Sequence, residues 1–445
     1  MMPPIRPNCS RPLWACLPAL LMAVSLLCCG CTYLEMTVQY LKMRITGEHR
    51  ADAADIKQAQ PEKCGVIMGQ MIGQPALEYP VVVAAVKAGP EAAAVADYTV
   101  LPSPGPYMLY VPKGRYHILA FADHKKDGTY DAGNLIGRYA AQEGLTIVAG
   151  QVCSGVDILL YSGGVPAADF KGPLLMTSKQ RISAFNADND TPLNLDDRHF
   201  ARQFGTLGLW EPSRFIDTVG VNIYCLEPYQ ASKIPVLFIH GSGGTPRDLS
   251  YIAGGIDSRR FQALFFYYPS GLRLQTLADL FYEKLDLLYE RYGFHELSIV
   301  AHSMGGLIVR AYLETYARRL PNYRVKHFAS LSTPWGGIEK VGLVPTRSVF
   351  RYPPCWKDLS SQSPFIRTLF HWPLPPGIRF TLCFGYKSDK LLLKGDNDGS
   401  ISLKSLLDFR AQSEAAKCFG FDENHVSILF SPDVMSRCNT ILSES

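Results

Sequence analysis

The sequence predicts a small all-β sandwich followed by an α/β unit built on a mostly parallel sheet with helices on both faces. Three observations carry this. Short apolar runs broken by Gly, Pro and Asp fill the region from Cys64 to Tyr161. From Val221 onward, apolar strand-like runs alternate with stretches of helical period. The chain has 445 residues, too many for one ordinary domain, and a 47% hydrophobic content that can fill two cores. The expected boundaries are a leader at 1–30, a tether at 31–60, the sandwich at 61–165, a connecting segment at 166–219 and the α/β unit at 220–445. A cap segment is expected around 338–376.

In chain order, Arg6 and Arg11 precede an apolar stretch from Leu13 to Cys29, interrupted by Pro18, which reads as a secretory signal. A retained anchor is the alternative, but the run is short for a bilayer. It ends in Leu27-Cys28-Cys29-Gly30-Cys31, which resembles a bacterial lipobox with cleavage after Gly30 and lipidation of Cys31. Cys28 stands where Leu is usual. The resemblance implies export and attachment to the cell envelope through Cys31, and Thr32 after the cysteine implies the outer membrane.

The strands expected in the sandwich are VVVAAV, DYTVLP, YMLYVP, RYHILAFAD and VDILLY. This part resembles the small transthyretin-like or carboxypeptidase-regulatory sandwiches found beside exported enzymes, which leaves a glycan or protein partner open. The loop Asp123 to Asp131 offers three aspartates and a glycine, as calcium loops do. Lys125 stands where an oxygen ligand is expected and Asn134 replaces the bidentate Glu, so a solvated turn is the better reading. Residues 170–229 are polar, and their structure is not evident from pattern.

In the α/β unit, strands are expected at VNIYCLEPY, IPVLFIHG, FQALFFYYP, LSIVAHS, KHFASLSTP, IRFTLCFG and AAKCFGF, with a helix over Leu274 to Tyr292. At Ala301-His302-Ser303-Met304-Gly305 an apolar strand gives way abruptly to a helix. Small flanking residues there would expose the Ser303 hydroxyl on a tight turn, the setting of a nucleophilic serine.

Five motifs lie in order: HGSGG (His240 to Gly244), AHSMGG (Ala301 to Gly306), STPWGG (Ser332 to Gly337), NDGSIS (Asn397 to Ser402) and NHVSIL (Asn424 to Leu429). On these the region 220–445 resembles the bacterial lipase and esterase branch of the α/β-hydrolases. The resemblance implies an exported serine carboxylester hydrolase acting on an acyl-ester or lipid substrate, with no cofactor and no metal. Ser303 is then the nucleophile, His425 the base and Asp398 the acid, because a serine hydroxyl needs a base and the base an orienting group. Asp396 and Asp389 compete for the acid role, and His302 and His240 are rivals to His425. Backbone N–H groups of Ser242 and Met304 would hold the negative oxygen formed on attack. Ala301 replaces the first Gly of the usual GxSxG. An acyltransferase or thioesterase would use the same triad, and a non-catalytic envelope-binding protein is the alternative from another class.

A net charge of +4 without a basic run excludes nothing-but-charge binding, so no nucleic-acid partner is expected. Twelve cysteines include five in or beside the leader, and of the other seven Cys64 with Cys153, or Cys418 with Cys438, could pair in an exported protein. Buried free thiols are the equal alternative. No Cys/His spacing suggests zinc. Phe350, Tyr352, Trp356, Phe365, Phe370 and Trp372 make the cap segment aromatic, and core cover is a better reading for them than an acyl-binding wall.

Overall fold

A computed structural model describes residues 63–73, 79–88, 95–101, 103–122, 129–130, 132–139, 143–161, 174–175, 194–339, 341, 352–388 and 396–444. The leader, Cys31, the tether, the aspartates of the 123–131 loop, Phe350 and Asp389 lie outside the described residues.

The N-terminal region is all-β: β1 (Cys64–Ile72), β2 (Val81–Lys87), β3 (Val95–Leu101), β4 (Pro106–Pro112), β5 (Gly114–Ala122), β6 (Thr129–Tyr130), β7 (Leu135–Arg138), β8 (Leu145–Ile147), β9 (Val152–Cys153) and β10 (Ile158–Leu160). Nine of these join in one hydrogen-bonded sheet rather than two separate ones. The reason is β1, which pairs with β4 from Cys64 to Gln70, with β9 at Val66 and Ile67 and with β10 at Met71 and Ile72. β6 instead pairs with the two-residue β11 (Leu174–Leu175).

Side chains alternate across a strand, so β2 divides its residues between two cores. Val81, Val83 and Ala85 meet Ile67, Leu109 and Ile118 in one core. Val82, Ala84 and Val86 meet Leu119, Phe121 and Tyr130 in another. The outer face of β1 and β4, carrying Val66, Met68, Met108 and Tyr110, belongs to the main core of the C-terminal unit.

Residues 194–219, which had no evident pattern, form helices α1 (Arg202–Trp210) and α2 (Pro212–Thr218). Phe200, Leu207 and Phe215 bury themselves against Tyr224 and Tyr267. The rings of Phe215 and Tyr267 meet edge-on at 4.9 Å.

The C-terminal sheet comprises β12 (Asn222–Cys225), β13 (Ile234–Ile239), β14 (Phe261–Tyr267), β15 (Glu296–His302), β16 (Arg324–Leu331), β17 (Arg379–Gly385) and β18 (Lys417–Phe421). Their spatial order is β12-β14-β13-β15-β16-β17-β18. β12 runs antiparallel and the other pairings are parallel. Helices α3 (Ser250–Gly254), α4 (Leu274–Tyr292), α5 (Met304–Arg319), α6 (Pro354–Leu359), α7 (Pro364–Thr368), α8 (Leu403–Leu406), α9 (Phe409–Glu414) and α10 (Pro432–Ser443) surround it. α4 and α5 bury apolar residues on one face of the sheet, and α3 and α10 cover the other. This is an α/β-hydrolase fold, a mostly parallel sheet between helical layers.

α4 shows how a helix is fixed between the two regions. Its residues Leu274, Leu277, Phe281, Leu285 and Leu288 recur at three- and four-residue intervals, which puts them on one buried face. Each large apolar side chain so buried contributes about 1.5–3 kcal/mol. Asp358 accepts the Leu274 N–H at 2.8 Å at its start, and Gly293 ends it with a left-handed cap at φ 62°. The same helix meets the β region: Thr276 donates to the Gly150 carbonyl at 2.6 Å, and Val66, Met68, Met108 and Tyr110 share its core.

Among the described residues, Cys153, Cys355, Cys383, Cys418 and Cys438 are free thiols. Cys64 and Cys153 are not partners because Cys153 lies opposite Ile67, three residues and about 10 Å along β1 from Cys64. Cys418 pairs in register with Leu382, whereas Cys438 shares a core with Cys383 on the opposite face of the sheet, so the sheet itself separates that pair. Trp335 and Trp356 are buried in the main core and Trp372 is exposed, so the described tryptophans of this region divide between core cover and solvent.

Candidate active site

Ser303 sits between the end of β15 and the first residue of α5, with φ 53° and ψ −126°. A non-glycine residue at such φ is strained, and the strain is held by tight packing around it. The Ser303 N–H donates to the Leu331 carbonyl at 2.8 Å, pinning the turn to β16. A Cβ at Gly305 would lie 2.7 Å from the carbonyl oxygens of both Ile239 and His240, and one at Gly306 would lie 2.1 Å from Thr333 Oγ1. Only glycines let the helix start so close to β13. Ala301, one position before the turn's histidine, is fully buried in register with Ile239 and Ser330 and has room for its methyl.

Three loops at the C-terminal ends of β15, β17 and β18 bring the expected triad residues together. His425 Nε2 lies 2.9 Å from Ser303 Oγ, and His425 Nδ1 lies 2.6 Å from Asp398 Oδ2. The carboxylate can only accept, so Nδ1 carries the proton and Nε2 is left to take one from the serine. Asp398 is 0% exposed. Burial pushes its carboxyl up, but the His425 ring and the N–H groups of Ile401 and Ser400, at 2.7 and 3.0 Å from Oδ1, outweigh this and hold it below the ordinary range. The His425 N–H also donates to the Asp398 carbonyl at 2.7 Å, so each residue fixes the other's backbone. Asp396 is the rejected neighbour: its exposed side chain takes no part, while its carbonyl accepts the Leu403 N–H at 2.9 Å.

The other two histidines do different work. The Nε2 of His302 donates to the His425 carbonyl at 2.9 Å. Burial, with the neighbouring His425, pulls it down to about 3, so it stays neutral. His240 lies flat on Tyr268 with ring centroids 4.1 Å apart, and its Nδ1 donates to the Gly241 carbonyl at 2.8 Å. Burial pulls it down to about 4.

Facing the serine is the turn Gly241-Ser242-Gly243-Gly244. A Cβ on Gly241 would stand 3.0 Å from Ser303 Cβ, so this backbone lies directly against the nucleophile. Among the described residues, the N–H groups of Ser242 and Met304 have no recorded acceptor, and Met304 opens the 16-residue helix α5, whose dipole favours negative charge there. Those are the two donors expected from sequence. What sequence reasoning missed is the support of this turn by Ser270 and α1; the spacing Gly205-x-x-Gly208, inside an otherwise ordinary helix, was the available signal. No cluster of potential metal ligands occurs among the described residues, and no helix there is long and apolar enough to cross a membrane.

Residues 230–368 match the family described as "Putative serine esterase (DUF676)". The chain is 31% identical over 65 residues to lecithin-cholesterol acyltransferase-like 4 of Arabidopsis thaliana, a stretch covering 15% of this chain and 12% of that relative's length. Among solved structures, the mature lipase BlEst2 of Bacillus licheniformis is 17% identical, with 49% of this chain and 97% of that one covered at a TM-score of 0.41. Aspergillus fumigatus lipase B is 16% identical, with 50% and 56% covered at 0.37. The family match lies within the C-terminal α/β unit, from just before β13 to the end of α7.

Proposed function

We propose that this protein is a serine carboxylester hydrolase acting on acyl esters, lipidic ones included, and that it works from the bacterial envelope through a lipid on Cys31. Ser303 Oγ attacks the acyl carbonyl as His425 Nε2 takes its proton, and Asp398 holds the imidazole in its tautomer and balances the imidazolium. The Ser242 and Met304 N–H groups receive the oxyanion. The imidazolium then protonates the leaving alcohol, and His425 activates the water that hydrolyses the acyl-serine. One observation supports this above others: the unbroken hydrogen-bonded chain from Ser303 through His425 to a fully buried Asp398, on a strained turn. The esterase-family match over residues 230–368 supports the reaction class, and the leader sequence supports the location.

The test is hydrolysis of p-nitrophenyl esters of increasing acyl length by the wild type and Ser303→Ala. Turnover by the first alone supports the reading, and equal rates would remove it. The short likeness to a plant acyltransferase gives acyl transfer the status of a second reading. Product analysis with added alcohols separates the two, because a transferase makes new ester at the expense of free acid.

A further inference from the structure

The turn Gly241 to Gly244 is closed by the Gly244 N–H donating to the Gly241 carbonyl at 3.2 Å, with Gly243 at φ 67° in third place. Turns with positive φ at that position differ from the common type mainly in the orientation of the middle peptide, here between Ser242 and Gly243. That peptide is held through its donor side. Its N–H, on Gly243, donates to Ser270 Oγ at 2.8 Å. Ser270 follows β14 and is 1% exposed. The peptides that follow lie against α1, which comes so close at Gly205 that a Cβ there would lie 2.5 Å from the Gly243 oxygen and 2.8 Å from the Gly244 oxygen. α1 is in turn tied to the loop beyond: Arg247 donates to the carbonyls of Leu195, at 2.6 Å, and Asp197, at 2.9 Å, in the segment that leads into it.

We infer that Ser270 is a positioning residue for the oxyanion hole, holding the Ser242–Gly243 peptide while α1 at Gly205 backs the carbonyls that follow, so that the Ser242 N–H stays aimed at the oxyanion formed beside Ser303. The inference rests on the proposed triad chemistry. Without the Ser270 oxygen, the middle peptide has lost the acceptor that selects its orientation, and the Ser242 amide, joined to it through one Cα, loses its fixed direction. The penalty falls on the tetrahedral species, which carries the negative oxygen, and not on the ground-state ester.

The experiment compares wild type, Ser270→Ala and Gly205→Ala for hydrolysis of a short p-nitrophenyl ester and for inhibition by an alkyl trifluoromethyl ketone, which forms a tetrahedral adduct on the serine. Direct loss of one oxyanion donor lowers kcat by about 100- to 1000-fold, so an indirect effect of about 10-fold is expected for Ser270→Ala, with KM within about twofold. The ketone's inhibition constant should rise by the same factor as kcat falls. A folded Ser270→Ala protein with unchanged kcat and ketone affinity overturns the inference, as does a kcat loss that the ketone does not share. If Ser270→Ala fails to fold, Gly205→Ala, which pushes the same turn from the other side, is read by the same pair of measurements with the same criteria. A wild type that neither turns over the ester nor binds the ketone would instead overturn the triad reading itself.

Discussion

The β region and the α/β unit bury apolar residues by the same rules, yet they differ in where the backbone departs from ordinary geometry. Among the described residues, the three non-glycine positions with positive φ, Ser303, Leu320 and Ser332, all lie in the α/β unit, two of them in the quoted motifs. Ser332 follows β16 just as Ser303 follows β15, and its Oγ accepts the Gly385 N–H at 3.1 Å. In the β region, positive φ falls on glycines alone. Strands therefore reveal a core, whereas strained turns between strand and helix reveal chemistry.

The comparison breaks most sharply at the triad. Ser303→Ala should lower ester turnover by about 10⁴-fold or more while leaving the melting temperature within a few degrees, because the loss is of nucleophile and not of packing. Asp398→Asn should lower kcat by about 10⁴-fold, since an amide at that position favours the wrong tautomer of His425. Steady-state kinetics beside a melting curve checks both. If either change reduced stability and activity together, the distinction between chemical and packing residues would fail there.

Next come changes that touch the packing alone. Met108→Ala, at the seam where β4 meets the core containing α4, should destabilise by about 2–4 kcal/mol in urea titrations while kcat of the folded protein stays within about twofold. Gly305→Ala crosses the two categories: a methyl set against two backbone carbonyls should destabilise by about 1–3 kcal/mol and also reduce kcat, because the serine turn must shift.

The most gradual effect is on pH dependence. His302 and His240 are held neutral with folded values near 3 and 4, below the ordinary histidine value near 6.5. The unfolded chain therefore binds more protons between those limits, so stability is full above pH 6.5 or so and falls as pH drops toward 4. Each histidine contributes a slope of up to about 1.4 kcal/mol per pH unit within that window. His302→Gln should flatten the decline in urea midpoints measured between pH 7 and pH 4.5; an unchanged slope would mean that other groups set it.

Much of this was legible in the sequence. Ser303, Asp398 and His425 stand in ordered motifs whose spacing tracks strand ends, and the helix over Leu274 to Tyr292 was legible from its period. The role of residues 194–219 was hardly legible beyond the Gly205-x-x-Gly208 spacing, since α1 works through what Gly205 lacks and nothing in that spacing says which backbone it meets. Ser270 is one serine among many until the fold places it 2.8 Å from Gly243. The cysteine pairings failed because parity along the chain says nothing of which face of a sheet a residue occupies. The single β-region sheet depends on β1 exchanging partners along its length, which pairing chemistry allows but no local run announces.

The central claim is that Ser303 is an activated nucleophile. Incubation of the folded protein with a fluorophosphonate probe, followed by peptide mass spectrometry, measures this directly. One labelled residue is expected, Ser303, with labelling lost in Ser303→Ala and strongly slowed in His425→Ala. Labelling at another serine, or at Ser303 with equal speed when His425 is gone, would contradict it.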